Sequence, residues 1–224
     1  MIVTRFIFLS LLKVWGYVIY PSRFQWLSEK PESWDDVSLV LILNHTSLFE
    51  FIYGVGLPYR FLWNLSKRLV IPVADSTLKN PIAGFVFSNL APKTIGLSRK
   101  RDETWNQFLG EIERDDICIF FPEGEMKRKN GLNKKGRPMT VKEGVYELLT
   151  KFSGKNMVIL YSKGLHHILA PGERVPKIFK KVEARVEYMS VNDYLGQFGK
   201  SDESVRKRVV SDLQKKRDRY CHDS

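Results

Sequence analysis

The stretch Asn44-His45-Thr46-Ser47-Leu48-Phe49-Glu50 puts an imidazole and a carboxylate five positions apart, directly after the apolar run 38–43. A histidine that titrates near neutrality can take the proton of an attacking hydroxyl, and a neighbouring carboxylate can fix its tautomer and stabilise the imidazolium. On one continuous helix the two side chains would stand about 140° apart, at about 100° per residue, and could not meet. The chain must therefore turn, with His45 at a strand end and Glu50 in the first turn of a helix. The same letters also read as a helix start, because Ser47 and Glu50 have the spacing of a capping box. A cap and an orienting partner are compatible roles for Glu50.

A second constellation is Phe121-Pro122-Glu123-Gly124, which follows the apolar run Ile117-Cys118-Ile119-Phe120. A strand ending in Pro-Glu-Gly brings a turn and a carboxylate to the edge of a sheet, where open α/β folds bind ligands. Lys127, Arg128, Lys129, Lys134, Lys135 and Arg137 then fall within eleven residues that contain no acid. No aromatic residue is interleaved there, so phosphate or an acidic lipid headgroup suits the cluster better than stacked bases. A solvated basic loop has the same composition. His166 and His167 are adjacent, so on a strand their side chains diverge, and no metal site is expected from them. Trp63 and Trp105 read as packing residues.

Elements of alternating type must position these residues. Strand-length apolar runs at 38–43, 59–63, 93–97, 117–121, 157–161 and 182–189 alternate with helical spacing at 49–55, 81–90, 103–114 and 142–152. That order predicts an α/β domain with a mixed, largely buried sheet flanked by helices. The polar stretch 22–36, with Pro31, reads as a connection containing one short helix. The closing segment 202–220 has Val205, Val209 and Leu213 on one face and reads as an amphipathic helix with a solvated charged face.

The N-terminal run 2–19 is overwhelmingly apolar, interrupted by the cations Arg5 and Lys13, and lacks a cleavage site of small residues. Ile7, Leu11, Val14 and Val18 share one helical face, with Arg5 and Lys13 opposite, which predicts a helix lying in a membrane interface. A spanning helix would reach about 27 Å, yet would bury Lys13 in hydrocarbon at a cost of about 2.5–3.5 kcal/mol. A helix packed on the protein's own core shares much of the pattern. The expected division is a membrane-associating helical segment at 1–30 and one catalytic-sized domain at 31–224. A net charge of +11 calls for an anionic partner. Two cysteines, Cys118 and Cys221, make neither a disulfide framework nor a zinc site and fit a reducing compartment.

His45 with Glu50, Ile95-Gly96-Leu97-Ser98-Arg99, Phe121-Pro122-Glu123-Gly124 and Val141-Lys142-Glu143-Gly144, in that order, resemble the lysophosphatidic acid and glycerolipid acyltransferase family. The likeness spans roughly 38–165, and its weight lies in the ordered set of blocks. The resemblance implies a glycerolipid acyltransferase-type fold, with His45 as general base and Glu50 as its partner, where the family more often has Asp. It implies that Arg99 meets the acceptor's phosphate and that Glu123 and Gly124 belong to the acceptor-binding block. The family usually continues with Thr-Arg, where this chain has Glu125-Met126, so Lys127 or Arg128 would supply the missing cation. Its fourth block usually carries a proline, which Val158-Ile159-Leu160-Tyr161 lacks.

The expectation is thus a membrane-associated O-acyltransferase on the cytoplasmic face. It would pass a fatty acyl group from acyl-CoA or acyl carrier protein to a lysophospholipid hydroxyl, with lysophosphatidate the first choice of acceptor. No cofactor or metal is called for, and no serine sits in a G-x-S-x-G nucleophile elbow. The alternatives are another acceptor, such as a lyso-aminolipid or a larger headgroup, and a catalytically silent lipid-binding protein. A nucleic-acid binder rests on charge alone and is not expected.

Overall fold

The computed structural model describes residues 1–78, 81–98, 103–199 and 203–221. Seven strands, β1 (Ser22–Trp26), β2 (Val37–Leu43), β3 (Leu69–Ala74), β4 (Lys93–Leu97), β5 (Ile117–Phe120), β6 (Asn156–Ser162) and β7 (Val182–Ser190), form one sheet. Its order is β1-β7-β6-β2-β5-β3-β4. The five strands β2 to β6 run parallel, while β7 pairs antiparallel with β6 and β1 runs with β7. The helices are α1 (Ile2–Ile19), α2 (Tyr59–Arg68), α3 (Asp75–Leu78), α4 (Pro81–Leu90) and α5 (Glu103–Glu111), then α6 (Gly144–Lys151), α7 (His166–Leu169), α8 (Val191–Gly196) and α9 (Glu203–Tyr220). A 3-10 helix, Glu50–Gly56, precedes α2.

Every residue of β2 is buried, because the strand is central and covered on both faces. Its side chains alternate between two cores. Val40 and Ile42 join the cluster that includes Leu9, Ile52 and Phe61, and Leu39, Leu41 and Leu43 join the one that includes Phe108, Leu148 and Val209. The expected mixed α/β sheet is therefore present. Trp105 is core, against Phe108 and Phe120, and Trp63 meets Phe6 of α1 edge to face at 5.2 Å.

Two expectations fail and one strand was not foreseen, each for an identifiable reason. The aromatic run 59–63 is the first half of α2, because Phe61, Leu62 and Leu65 are buried at helical spacing while Arg60 and Asn64 turn out to hold Asp35. The stretch 22–36 contains β1, whose alternation of half-buried Phe24 and Trp26 with exposed Arg23 and Gln25 suits a charged edge strand. Strand β3 starts directly after α2 without a turn signal and contains Pro72. Its neighbour β5 reaches only Leu69 and Val70, so Pro72 sits where one flank is unpaired and a missing N–H is tolerated.

Helix α1 is long and apolar enough to cross a membrane, yet it packs along the domain. Gly16 makes this possible: a Cβ there would lie 2.6 Å from Ile52 and Val55 side-chain atoms. Lys13 turns inward, donating to the Val55 carbonyl and lying over the Tyr59 ring. The opposite face is uncovered, with Ile7 51%, Leu11 63%, Val14 49% and Val18 67% exposed. Within residues 1–30, α1 is thus joined to β1, which is hydrogen bonded into the sheet.

Candidate active site

The carboxyl ends of β6, β2 and β5 lie side by side at the centre of the sheet, and three short segments leave there. After β2 the chain turns through Asn44, whose φ of 67° is a left-handed conformation that asparagine tolerates. This breaks the strand and turns His45 out of it. The Asn44 N–H donates to Glu123 Oε1 at 2.7 Å, and its side-chain amide donates to the Ser162 carbonyl at 2.9 Å. One residue thereby ties the ends of all three strands together.

Glu50, 3% exposed, folds back from the 3-10 helix. Its Oε1 accepts the Thr46 N–H at 2.7 Å and its Oε2 meets His45 Nδ1. Ser47 Oγ accepts the Phe49 N–H at 3.0 Å. The expected capping box is thus replaced by a tight turn in which Glu50 serves both a backbone donor and the imidazole. Thr46 Oγ1 accepts the Leu165 N–H at 2.8 Å, and the His45 ring rests on Phe121 with centroids 4.4 Å apart. With Nδ1 against the carboxylate, Nδ1 carries the proton and Nε2 holds the basic lone pair. The side chain keeps 14% exposure.

Burial is the largest influence on His45 and disfavours its charge. The charge and hydrogen bond of Glu50, helped by the charge of Glu123, outweigh it and hold the imidazole pKa above its ordinary 6.5. Glu123 is 1% exposed, and its own burial pushes its carboxyl above the ordinary 4.5. Its Oε2 is buried without a hydrogen bond, and Arg217 of α9 lies 3.8 Å from Oε1. Glu123 therefore faces the protein interior and braces the turn at Asn44. Gly124, at φ +68°, closes the next turn on the surface, its N–H donating to the Phe121 carbonyl at 3.0 Å.

The basic loop begins beside the histidine. Lys127 N–H donates to the His45 carbonyl at 2.7 Å, and the Lys127 carbonyl accepts from His166 Nε2 at 2.6 Å. Arg128 is exposed one residue further on, and Glu125 accepts from Asn133 Nδ2 at 2.6 Å, closing the loop. Arg99 lies outside the described residues. The end of β4 that leads to it is three strands from β2, about 14 Å across the sheet at about 4.8 Å per strand. In the Val141-Lys142-Glu143-Gly144 block Gly144 is required by packing, since a Cβ there would lie 2.8 Å from the Trp105 ring.

The structure thus joins His45, Glu50, Glu123 and the start of the basic loop in one site. It adds Asn44, Thr46, Ser162 and Arg217, which sequence reasoning passed over. Asn44 carried a signal in its left-handed tolerance, but nothing in the local sequence marks Ser162 or Arg217. Arg217 also corrects the reading of α9 as a solvated charged face, because it turns inward to donate to the Met139 carbonyl at 2.8 Å. Among the described residues no group of three or more His, Cys, Asp or Glu side chains could hold a metal ion. A surface hollow lined by Glu29, Asp36 and Tyr188 lies at the opposite end of the sheet.

No family model and no curated protein matches the chain. Among solved structures it is similar to the 1-acyl-sn-glycerophosphate (LPA) acyltransferase PlsC from Thermotoga maritima. The TM-score is 0.51 at 17% identity, over 96% of this chain and 77% of that one. The seven-stranded sheet, its flanking helices and the N-terminal apolar helix thus make up a glycerolipid acyltransferase-type fold.

Proposed function

We propose that this protein is a membrane-associated acyltransferase that moves a fatty acyl group from acyl-CoA or acyl carrier protein to a lysophospholipid hydroxyl. The observation that carries the reading is the His45–Glu50 pair at the carboxyl edge of the sheet, with Nδ1 engaged and Nε2 available. His45 Nε2 takes the hydroxyl proton as the oxygen attacks the thioester carbonyl. The new C–O bond forms, the C–S bond breaks, and the departing thiolate takes the proton from the imidazolium. Glu50 offsets the positive charge that His45 carries between these events. No covalent enzyme intermediate is involved.

Lysophosphatidate is the proposed acceptor, its phosphate met by Lys127 or Arg128 beside the histidine and by Arg99, which follows β4 in the sequence. Glu123 and Gly124 contribute by shaping the acceptor's edge of the site, Glu123 through Asn44. The uncovered face of α1, within residues 1–30, holds the enzyme on the cytoplasmic leaflet, where both acyl donors are found. Glu125 and Met126 stand where the family usually has Thr-Arg, and this favours a larger headgroup as a second reading. Comparing lysophosphatidate with lysophosphatidylethanolamine and lysophosphatidylglycerol as acceptors separates the two. Preference for the terminal phosphate supports the first reading, and its absence supports the second. Transfer to no lysophospholipid from either donor defeats both.

A further inference from the structure

Among the described residues outside the site, the most exposed apolar side chains apart from α1 belong to one loop. Between α7 and β7, Val175 is 77% exposed, Ile178 52% and Phe179 68%. Phe179 also has a φ of 57°, a left-handed conformation uncommon for an aromatic residue. The loop's base is fixed. Lys177 N–H donates to the Ile168 carbonyl at 2.9 Å, His167 Nε2 donates to the Lys181 carbonyl at 2.7 Å, and Glu173 Oε2 accepts the Ala170 N–H at 2.9 Å. These groups at its base are thus engaged while its apolar side chains stand in water.

Arg174, Lys177, Lys180 and Lys181 flank those apolar residues and are all exposed. The loop's one acid, Glu173, is held 2.8 Å from Lys129 of the basic loop. Directly after the loop, the Val182 N–H donates to the Pro21 carbonyl at 2.9 Å, so the loop ends against the C-terminal end of α1. Because β1 and β7 run opposite to β2, this is also the sheet end that carries His45.

We infer that residues 171–181 form a second membrane-binding point, whose apolar tip enters an anionic phospholipid bilayer while the surrounding cations meet its headgroups. A contiguous apolar tip ringed by cations suits an acidic lipid surface. The uncovered face of α1, whose C-terminal end the loop abuts, is likewise apolar, and two anchors give attachment that one does not. The inference rests on the reading that the protein works at a membrane, and it adds the surface that turns the active-site edge toward the lipid.

Cys118 and Cys221 are buried, so a thiol-reactive environment-sensitive fluorophore can be placed selectively at Phe179→Cys or Val175→Cys. Lys151→Cys, at the exposed end of α6, is the control. Mixed with vesicles of phosphatidylcholine and phosphatidylglycerol, both loop probes should brighten severalfold and shift to the blue, while the control stays as in buffer. The combined change Val175→Ser, Ile178→Ser and Phe179→Ser should weaken co-sedimentation about tenfold or more. Protein that co-sediments while both loop probes stay solvent-like overturns the loop's role and leaves α1 as the anchor. Wild-type protein that does not co-sediment overturns the membrane reading as well.

Discussion

Replacing Glu50 with Gln preserves shape and removes charge, so it isolates what the carboxylate does for His45. In the native site one carboxylate oxygen accepts the Thr46 N–H at 2.7 Å and the other meets His45 Nδ1. An amide cannot accept at both places. If its oxygen keeps Thr46, its NH2 faces Nδ1, which must then be unprotonated, and the proton moves to Nε2, where no base remains. If the amide turns over, its NH2 opposes the Thr46 N–H within a site that is 3% exposed. The wrong tautomer in a histidine–carboxylate pair lowers turnover by about 10²–10⁴, or about 3–5 kcal/mol of barrier.

The pH profile supplies an independent check on Glu50→Gln. The base must be neutral, so wild-type turnover should rise with pH through a midpoint above 6.5. Burial opposes the imidazolium and Glu50 outweighs it, so in the Gln variant the acidic limb should move to lower pH. Glu50→Asp keeps the charge and should leave the limb above 6.5. The assay is initial rate of acyl transfer from pH 5 to pH 9, roughly the window in which a histidine titrates. A Gln variant with near wild-type turnover and an unmoved limb would refute the reasoning.

Glu123→Gln should be more stable than wild type above pH 4.5, the ordinary carboxyl value, by a margin that grows with pH. The raised pKa means that folding favours the protonated acid, so stability is fullest below that value and falls as pH rises through the folded pKa, whereas Gln stays neutral. Glu123→Ala leaves the buried Asn44 N–H without an acceptor and should cost about 1–3 kcal/mol, read from thermal or urea midpoints. Gly144→Ala forces the Trp105 ring aside and should cost about 1–3 kcal/mol, read by urea unfolding followed through tryptophan emission. Gly16→Val overpacks α1 against Ile52 and Val55 with a similar loss, and should lower activity because that 3-10 helix begins at Glu50.

Local sequence made much of this legible. The strand-to-turn step at His45 and the return of Glu50 follow from an imidazole and a carboxylate five positions apart after an apolar run, and the buried strands appear as apolar runs of the right length. The helix over 59–68 was hidden because four of its first five residues are aromatic or apolar, and its period is visible only when Leu65 is included. The strands at 22–26 and 69–74 were hidden by edge polarity and by Pro72. The bracing of the site was hidden for a different reason. Asn44, Glu123, Ser162 and Arg217 come from four segments that only the fold brings together, and Glu123 reads as an exposed turn carboxylate until β2 and β5 are adjacent.

We propose His45 as the base of an acyl transfer. Thiol release from palmitoyl-CoA by detergent-purified protein, with and without lysophosphatidate, tests it beside His45→Ala. Acceptor-dependent release should fall by about 10²–10⁴ in the variant. Release by His45→Ala at near the wild-type rate would contradict it.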